Sequence, residues 1–197
     1  MTAPIEFYFE FSSPYGYFAS TQVEKLAAEF GRSVNWHPIL LGPMFKAMGS
    51  QPLTDIPLKG DYARRDFART AALFDIPYDH PDPFPIATVS AARAVLYVRQ
   101  HDQQKSVELT KRLYAAYFSE QQNISGTDVV LAIADSIGLN VQDLAEGIGQ
   151  DSTKAMLRDE VDTAMQRGVF GSPFLIVDGE PFWGFDRFDH IRRWLAR

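Results

Sequence analysis

Ile5, Phe7, Phe9 and Phe11 alternate with Glu6, Tyr8 and Glu10 and run straight into Ser12-Ser13-Pro14-Tyr15. A period of two argues for a strand, and the break at Ser-Pro turns it into a helix, because Pro14 suits a first helical turn and Ser13 suits its cap. Tyr15, Ala19, Val23, Leu26, Ala27 and Phe30 then share one face at helical spacing, and Gly31 is placed to end that helix. Val34 and Trp36 alternate with Asn35 and His37 before Ile39-Leu40-Leu41, which predicts a second strand. Strand, helix and strand form a βαβ unit, and such units place function at the C-terminal ends of their strands, here beside Ser13.

From Gly42 the character changes. A short turn is expected over Phe45 to Met48, a helix over Asp61 to Phe74, and an extended loop through Pro77, Pro81, Pro83 and Pro85. Helices are predicted at about Thr88–His101, Ser106–Ser119, Thr127–Ile137 and Val141–Ile148, with Thr127 as an N-cap and Gly138 as a stop. A long helix from Ser152 to Gly168 leads to a second Ser-Pro site, Gly171-Ser172-Pro173. Phe174 to Val177 and Glu180 to Trp183 flank Asp178-Gly179, a strong hairpin signal, and Asp186 is expected to cap a final helix. The order is thioredoxin-like with its middle interrupted: an α/β domain made of residues 1–41 and 152–197, and an all-helical insertion over 42–151. The chain must return to its first sheet at its end, which brings Pro173 toward Ser13.

With 46% hydrophobic and 22% charged residues, the 197-residue chain has an ordinary globular composition. A formal charge of −6 gives no broad attraction for nucleic acid or an anionic membrane, so neither partner is expected. No apolar stretch approaches the roughly 20 residues needed to span a bilayer and no secretion signal opens the chain, so a cytoplasmic protein is expected. His37, His80, His101 and His190 are far apart and lack metal-ligand spacing; no metal is expected. There is no cysteine. Thiol chemistry at this site would therefore need a sulfur brought by a ligand.

Each Ser-Pro pair alone reads as well as a helix cap or a strand edge. Together, at opposite ends of a split α/β domain, they are far more specific. Phe7-Tyr8-Phe9-Glu10-Phe11-Ser12-Ser13-Pro14-Tyr15, Val169-Phe170-Gly171-Ser172-Pro173 and Trp183-Gly184-Phe185-Asp186-Arg187 occur in order. In these three segments the chain resembles the 2-hydroxychromene-2-carboxylate isomerases and kappa-class glutathione transferases of the DsbA-like thioredoxin group. Two positions depart from that pattern: Glu10 stands for Asp, and Phe185 for a small polar residue.

The resemblance implies glutathione as cofactor and a homodimer. Ser13 would donate a hydrogen bond to the glutathione sulfur, the backbone of Ser172 before a cis-Pro173 would pair with the cysteinyl unit, and Asp186 would hold the γ-glutamyl ammonium. Trp183, Gly184 and Phe185 would line that end, and Lys46 would hold a substrate carboxylate. One hydrogen bond to a thiolate, at roughly 1.5–3 kcal/mol, lowers a thiol pKa of about 8.5 by about one to two units, and helix-terminus polarity adds to this. Ser13 as a covalent nucleophile would need an activating base, and no Gly-x-Ser-x-Gly elbow is present. The activity implied is isomerisation of an aromatic carboxylate. The alternatives are a conjugating transferase and a cysteine-free module that binds extended peptides beside Pro173.

Overall fold

The computed structural model describes residues 2–197. Its sheet has four strands in the order β2-β1-β3-β4: β1 (Ile5–Phe9), β2 (Val34–Pro38), β3 (Phe174–Val177) and β4 (Glu180–Trp183). β1 pairs parallel to β2 and antiparallel to β3, so the two ends of the chain share one sheet with β1 at its centre. The Asp178-Gly179 turn has positive φ at both residues, 53° and 86°, as a two-residue hairpin of matching twist requires. Both guanidinium nitrogens of Arg32 donate to the Asp178 carboxylate, at 2.8 and 2.7 Å, and tie this turn to the loop before β2.

The alternation in β1 sorts its side chains onto two faces. Ile5, Phe7 and Phe9 are fully buried with Phe18, Val23 and Leu26 of α1 (Pro14–Ala28). Tyr8 faces the other way, among Ile39, Met44, Val169 and Phe174. On that second face His37 bridges Glu6, at 2.5 Å, and Glu160, whose other oxygen accepts from Arg99 at 2.6 Å. Glu160 lies on α8 (Asp151–Gln166), the helix that leads to the second Ser-Pro site.

Between β2 and α8 the chain is helical: α2 (Leu41–Met48), α3 (Lys59–Leu73), α4 (Val89–Arg99), α5 (Gln103–Phe118), α6 (Thr127–Ser136) and α7 (Val141–Gly149). The turn expected over Phe45 to Met48 is in fact the end of α2, and Leu41, expected in the second strand, opens that helix. Pro43 is harmless there because first-turn N–H groups have no intrahelical acceptor. Thr127 is the first residue of α6 rather than its cap, a position held by Gly126. Tyr114, Tyr117 and Phe118 of α5 are buried against Phe9, Phe11 and Tyr17 in one continuous aromatic core. Each such burial is worth roughly 1.5–3 kcal/mol, more than any single cap, so packing on β1 and α1 governs how the insertion sits. α9 (Phe188–Leu195) closes the fold.

Candidate active site

β1 ends one turn before α1 begins, and this junction places Ser13. Its backbone is extended, with φ −95° and ψ 112°, and Pro14 occupies the first helical turn. Ser13 Oγ accepts from the Gly16 N–H at 3.0 Å, as an N-cap does. The same hydroxyl donates to the Ser172 carbonyl oxygen at 2.8 Å, across 159 positions of sequence. The Ser172–Pro173 peptide bond is cis. The structure thus brings Ser13, Ser172 and Pro173 together at the N-terminus of a 15-residue helix.

The hub beneath them is Glu10. Its N–H donates to Ser172 Oγ at 2.9 Å, and its carbonyl accepts from the Ser13 N–H at 3.0 Å and from the Tyr114 hydroxyl at 2.9 Å. Gly16 makes this convergence possible, because a Cβ there would lie 2.7 Å from both Ser172 Oγ and Tyr114 Oη. Neither Gly16 nor Tyr114 stands out in the sequence, since one reads as an ordinary helix residue and the other as core. The Tyr15 hydroxyl bonds to Asp66 of α3, and burial together with that carboxylate pushes the phenol far up.

Beyond Pro173 the chain runs through β3 and β4 back to the site. The Gly184 N–H donates to the Pro173 carbonyl at 3.0 Å. Trp183 is 56% exposed and meets Phe170 edge-on at 5.0 Å, and its indole nitrogen lies where a Cβ at Gly171 would come within 2.4 Å. Asp186 points into solvent with 73% of its side chain exposed, and among the described residues its one ionic partner is Arg187 at 3.3 Å. It does not cap α9: it lies in a short 3-10 turn over Phe185–Arg187, and Arg187 precedes the helix. Phe185 is 5% exposed and packs on Phe18, Phe74 and Phe188. Its ring packs into the core, and the φ of 109° at Gly184 breaks the strand alternation that would have continued from Trp183.

Lys46 is exposed on the last turn of α2 and makes no hydrogen bond or ion pair among the described residues. It lies two residues from Met44, the buried anchor of that helix, and so on a different side of it. A concavity of about 190 Å³ between α2 and the end of α8 is lined by Met44, Met48, Met165, Val169 and Phe170 and adjoins the loop that carries Ser172.

Residues 4–196 match the DSBA-like thioredoxin domain. The chain belongs to that family. It is 28% identical over 197 residues to a 2-hydroxychromene-2-carboxylate isomerase of Sphingobium xenophagum, covering 99% of each chain. It is 24% identical over 199 residues to glutathione S-transferase kappa 1 of Caenorhabditis elegans, covering 95% of this chain and 88% of that one. A solved 2-hydroxychromene-2-carboxylate isomerase superposes with a TM-score of 0.88 at 22% identity, covering 98% of this chain and 94% of that one. The architecture of the DsbA-like family, a thioredoxin-like core carrying a large helical insertion, is therefore the architecture of this chain. No described helix is long and apolar enough to cross a membrane.

Proposed function

We propose that the protein is a glutathione-dependent isomerase that interconverts 2-hydroxychromene-2-carboxylate and trans-o-hydroxybenzylidenepyruvate, or a close aromatic analogue. The observation that carries this reading is the contact of the Ser13 hydroxyl with the Ser172 carbonyl, at a helix N-terminus in a chain without cysteine. Kinship with isomerases and kappa transferases over nearly the whole chain supports it.

The residues present fit glutathione. Ser13 offers a hydroxyl, Ser172 offers a carbonyl for an extended peptide to pair with, and Asp186 offers an exposed carboxylate to an ammonium. Bound glutathione would supply a thiolate for reversible addition to a conjugated carbon of the substrate. Ser13 has one hydroxyl proton, which in this structure is given to Ser172. To stabilise a thiolate Ser13 would turn that proton to the sulfur, and the Ser172 carbonyl would accept a cysteinyl N–H in its place. The exchange leaves no buried acceptor without a donor. The N-terminal polarity of α1 favours the same negative charge. The apolar concavity beside Phe170 suits an aromatic body; Lys46, exposed on another side of α2 and outside that lining, is the cation assigned to a substrate carboxylate.

A calorimetric titration with glutathione at neutral pH, with thiolate absorbance followed in parallel, tests the reading. Saturable binding with thiolate formation in the native protein, both lost in Ser13→Ala, is expected. The product from a chromene carboxylate should keep the substrate's mass. A product heavier by glutathione would make the protein a conjugating transferase, and absence of glutathione binding would leave a peptide-binding module.

A further inference from the structure

Glu10 is 3% exposed, yet it carries a carboxyl just past the end of β1, directly under the paired serines. One carboxyl oxygen accepts two bonds from Ser12, the N–H at 2.8 Å and the hydroxyl at 2.6 Å. The other oxygen is bonded to the hydroxyl of Thr88, the residue that opens α4. No lysine, arginine or histidine nitrogen is hydrogen-bonded or ion-paired to it among the described residues. The titratable groups facing it are Tyr114 and Tyr117 of α5, both neutral phenols pushed up by burial; the turn before α1 and the Pro173 loop contribute the uncharged Ser12, Ser13 and Ser172.

A buried anion with no cation is costly, and a proton removes the cost. The geometry suits the acid: one oxygen receives two donors as a carbonyl does, and the other faces a hydroxyl that accepts as readily as it donates. In the acid form the contact runs from the carboxyl O–H to Thr88 Oγ1. We propose that Glu10 is a positioning residue that works as a neutral carboxylic acid, its proton on the Thr88 side, holding the Ser12–Ser13 turn and the Ser172 loop together while keeping negative charge out of the seat of the thiolate. Burial pushes its carboxyl above the usual range, against the bonds from Ser12 and Thr88 that favour the anion. Its peptide group is bonded directly to Ser13 and Ser172, so a charge on Glu10 would lie close to any thiolate they hold. The role assigned to the thiolate rests on the glutathione reading; the protonation of Glu10 does not.

Infrared spectroscopy of the ligand-free protein tests the protonation. A carboxylic-acid carbonyl band is expected at neutral pH, absent in Glu10→Gln and shifted but retained in Thr88→Val. Absence of a band attributable to Glu10 would overturn the proposal even if glutathione binds. Glutathione titrations from neutral to alkaline pH test the consequence. Across the pH range in which the infrared acid band disappears, affinity of the native protein should fall about tenfold more than that of Glu10→Gln, because only the native site gains a negative charge there. Equal alkaline losses in the two proteins would overturn the charge role. Binding to neither protein, with the band present, would instead sink the glutathione reading and leave Glu10 a neutral acid.

Discussion

The Ser13 hydroxyl oxygen lies 2.8 Å from the carbonyl oxygen of Ser172 and 3.0 Å from the Gly16 nitrogen, so a single side chain both caps α1 and closes the two ends of the chain on each other. Its structural and chemical roles therefore separate only by measurement. Ser13→Ala should lower stability by about 1–2 kcal/mol through loss of the cap and of the bond to Ser172. It should also raise the pKa of bound glutathione by about one to two units. Denaturant unfolding reads the first effect and thiolate absorbance against pH the second; a stability loss with an unmoved thiol titration would confine Ser13 to capping.

Ser172→Ala removes the acceptor of the Glu10 N–H, leaving a buried donor unpaired. Stability should fall by about 1–3 kcal/mol, the usual cost of such an orphan. A chemical denaturation midpoint unchanged from the native protein would show that water replaces the hydroxyl.

Gly16→Ala sets two effects against each other. Alanine gains up to about 1 kcal/mol of helix propensity, but its Cβ would sit 2.7 Å from Ser172 Oγ and from the fully buried Tyr114 hydroxyl. Overpacking of this kind costs about 1–3 kcal/mol, so net destabilisation is expected. Thermal unfolding decides the sign, and an increase in Tm would mean that Tyr114 yields freely.

Asp186→Asn should leave stability within about 0.5 kcal/mol of the native value, because the side chain is exposed and pairs with the partly exposed Arg187. Glutathione affinity should fall about tenfold if the carboxylate holds the ammonium. Equal affinities by calorimetry would move the ammonium seat elsewhere.

On the far face of the sheet, Glu160→Gln tests an ion pair that the serines do not touch. Burial acts to raise the Glu160 carboxyl, but the bonds from His37 and Arg99 outweigh it and hold the group below the usual range. A depressed carboxyl contributes stability above its unfolded pKa and loses it as pH falls through the folded one. The variant should be about 1–3 kcal/mol less stable at neutral pH, and the gap should close as pH drops below about 4. A gap constant across that window would mean that the substitution acts through packing.

Local signals account for what was legible in the sequence. The alternation in β1, the Ser-Pro break, the Asp-Gly turn and the Gly31 and Gly138 stops are each decided within a few residues, and each appears in the structure where the pattern puts it. Pairing of the two Ser-Pro sites could be inferred as well, because strand order alone forces the chain's end back onto β1. What escaped depends on partners far away in sequence. Glu10 meets Thr88 and Tyr114, respectively 78 and 104 positions downstream, and no periodicity announces either contact. The burial of Phe185 escaped as well, because the turn at Gly184 that directs its ring into the core is a backbone event. α2 was hidden by Gly42 and Pro43, residues that signal a break unless they fall in a helix's first turn.

β1 is an inner strand, but one of its two partners, β3, is synthesised long after it, with the whole helical insertion in between. Until residues 174–177 leave the ribosome, the β1 edge that β3 will cover offers an uncapped row of amides beside Phe7 and Phe9, an invitation to pair with another chain. Assembly of the site and sealing of that edge are consequently the same event. A chain truncated before Ser172 would lack its second serine contact and would also carry an adhesive strand, so its fate in a cell would be capture by chaperones or aggregation rather than residual binding.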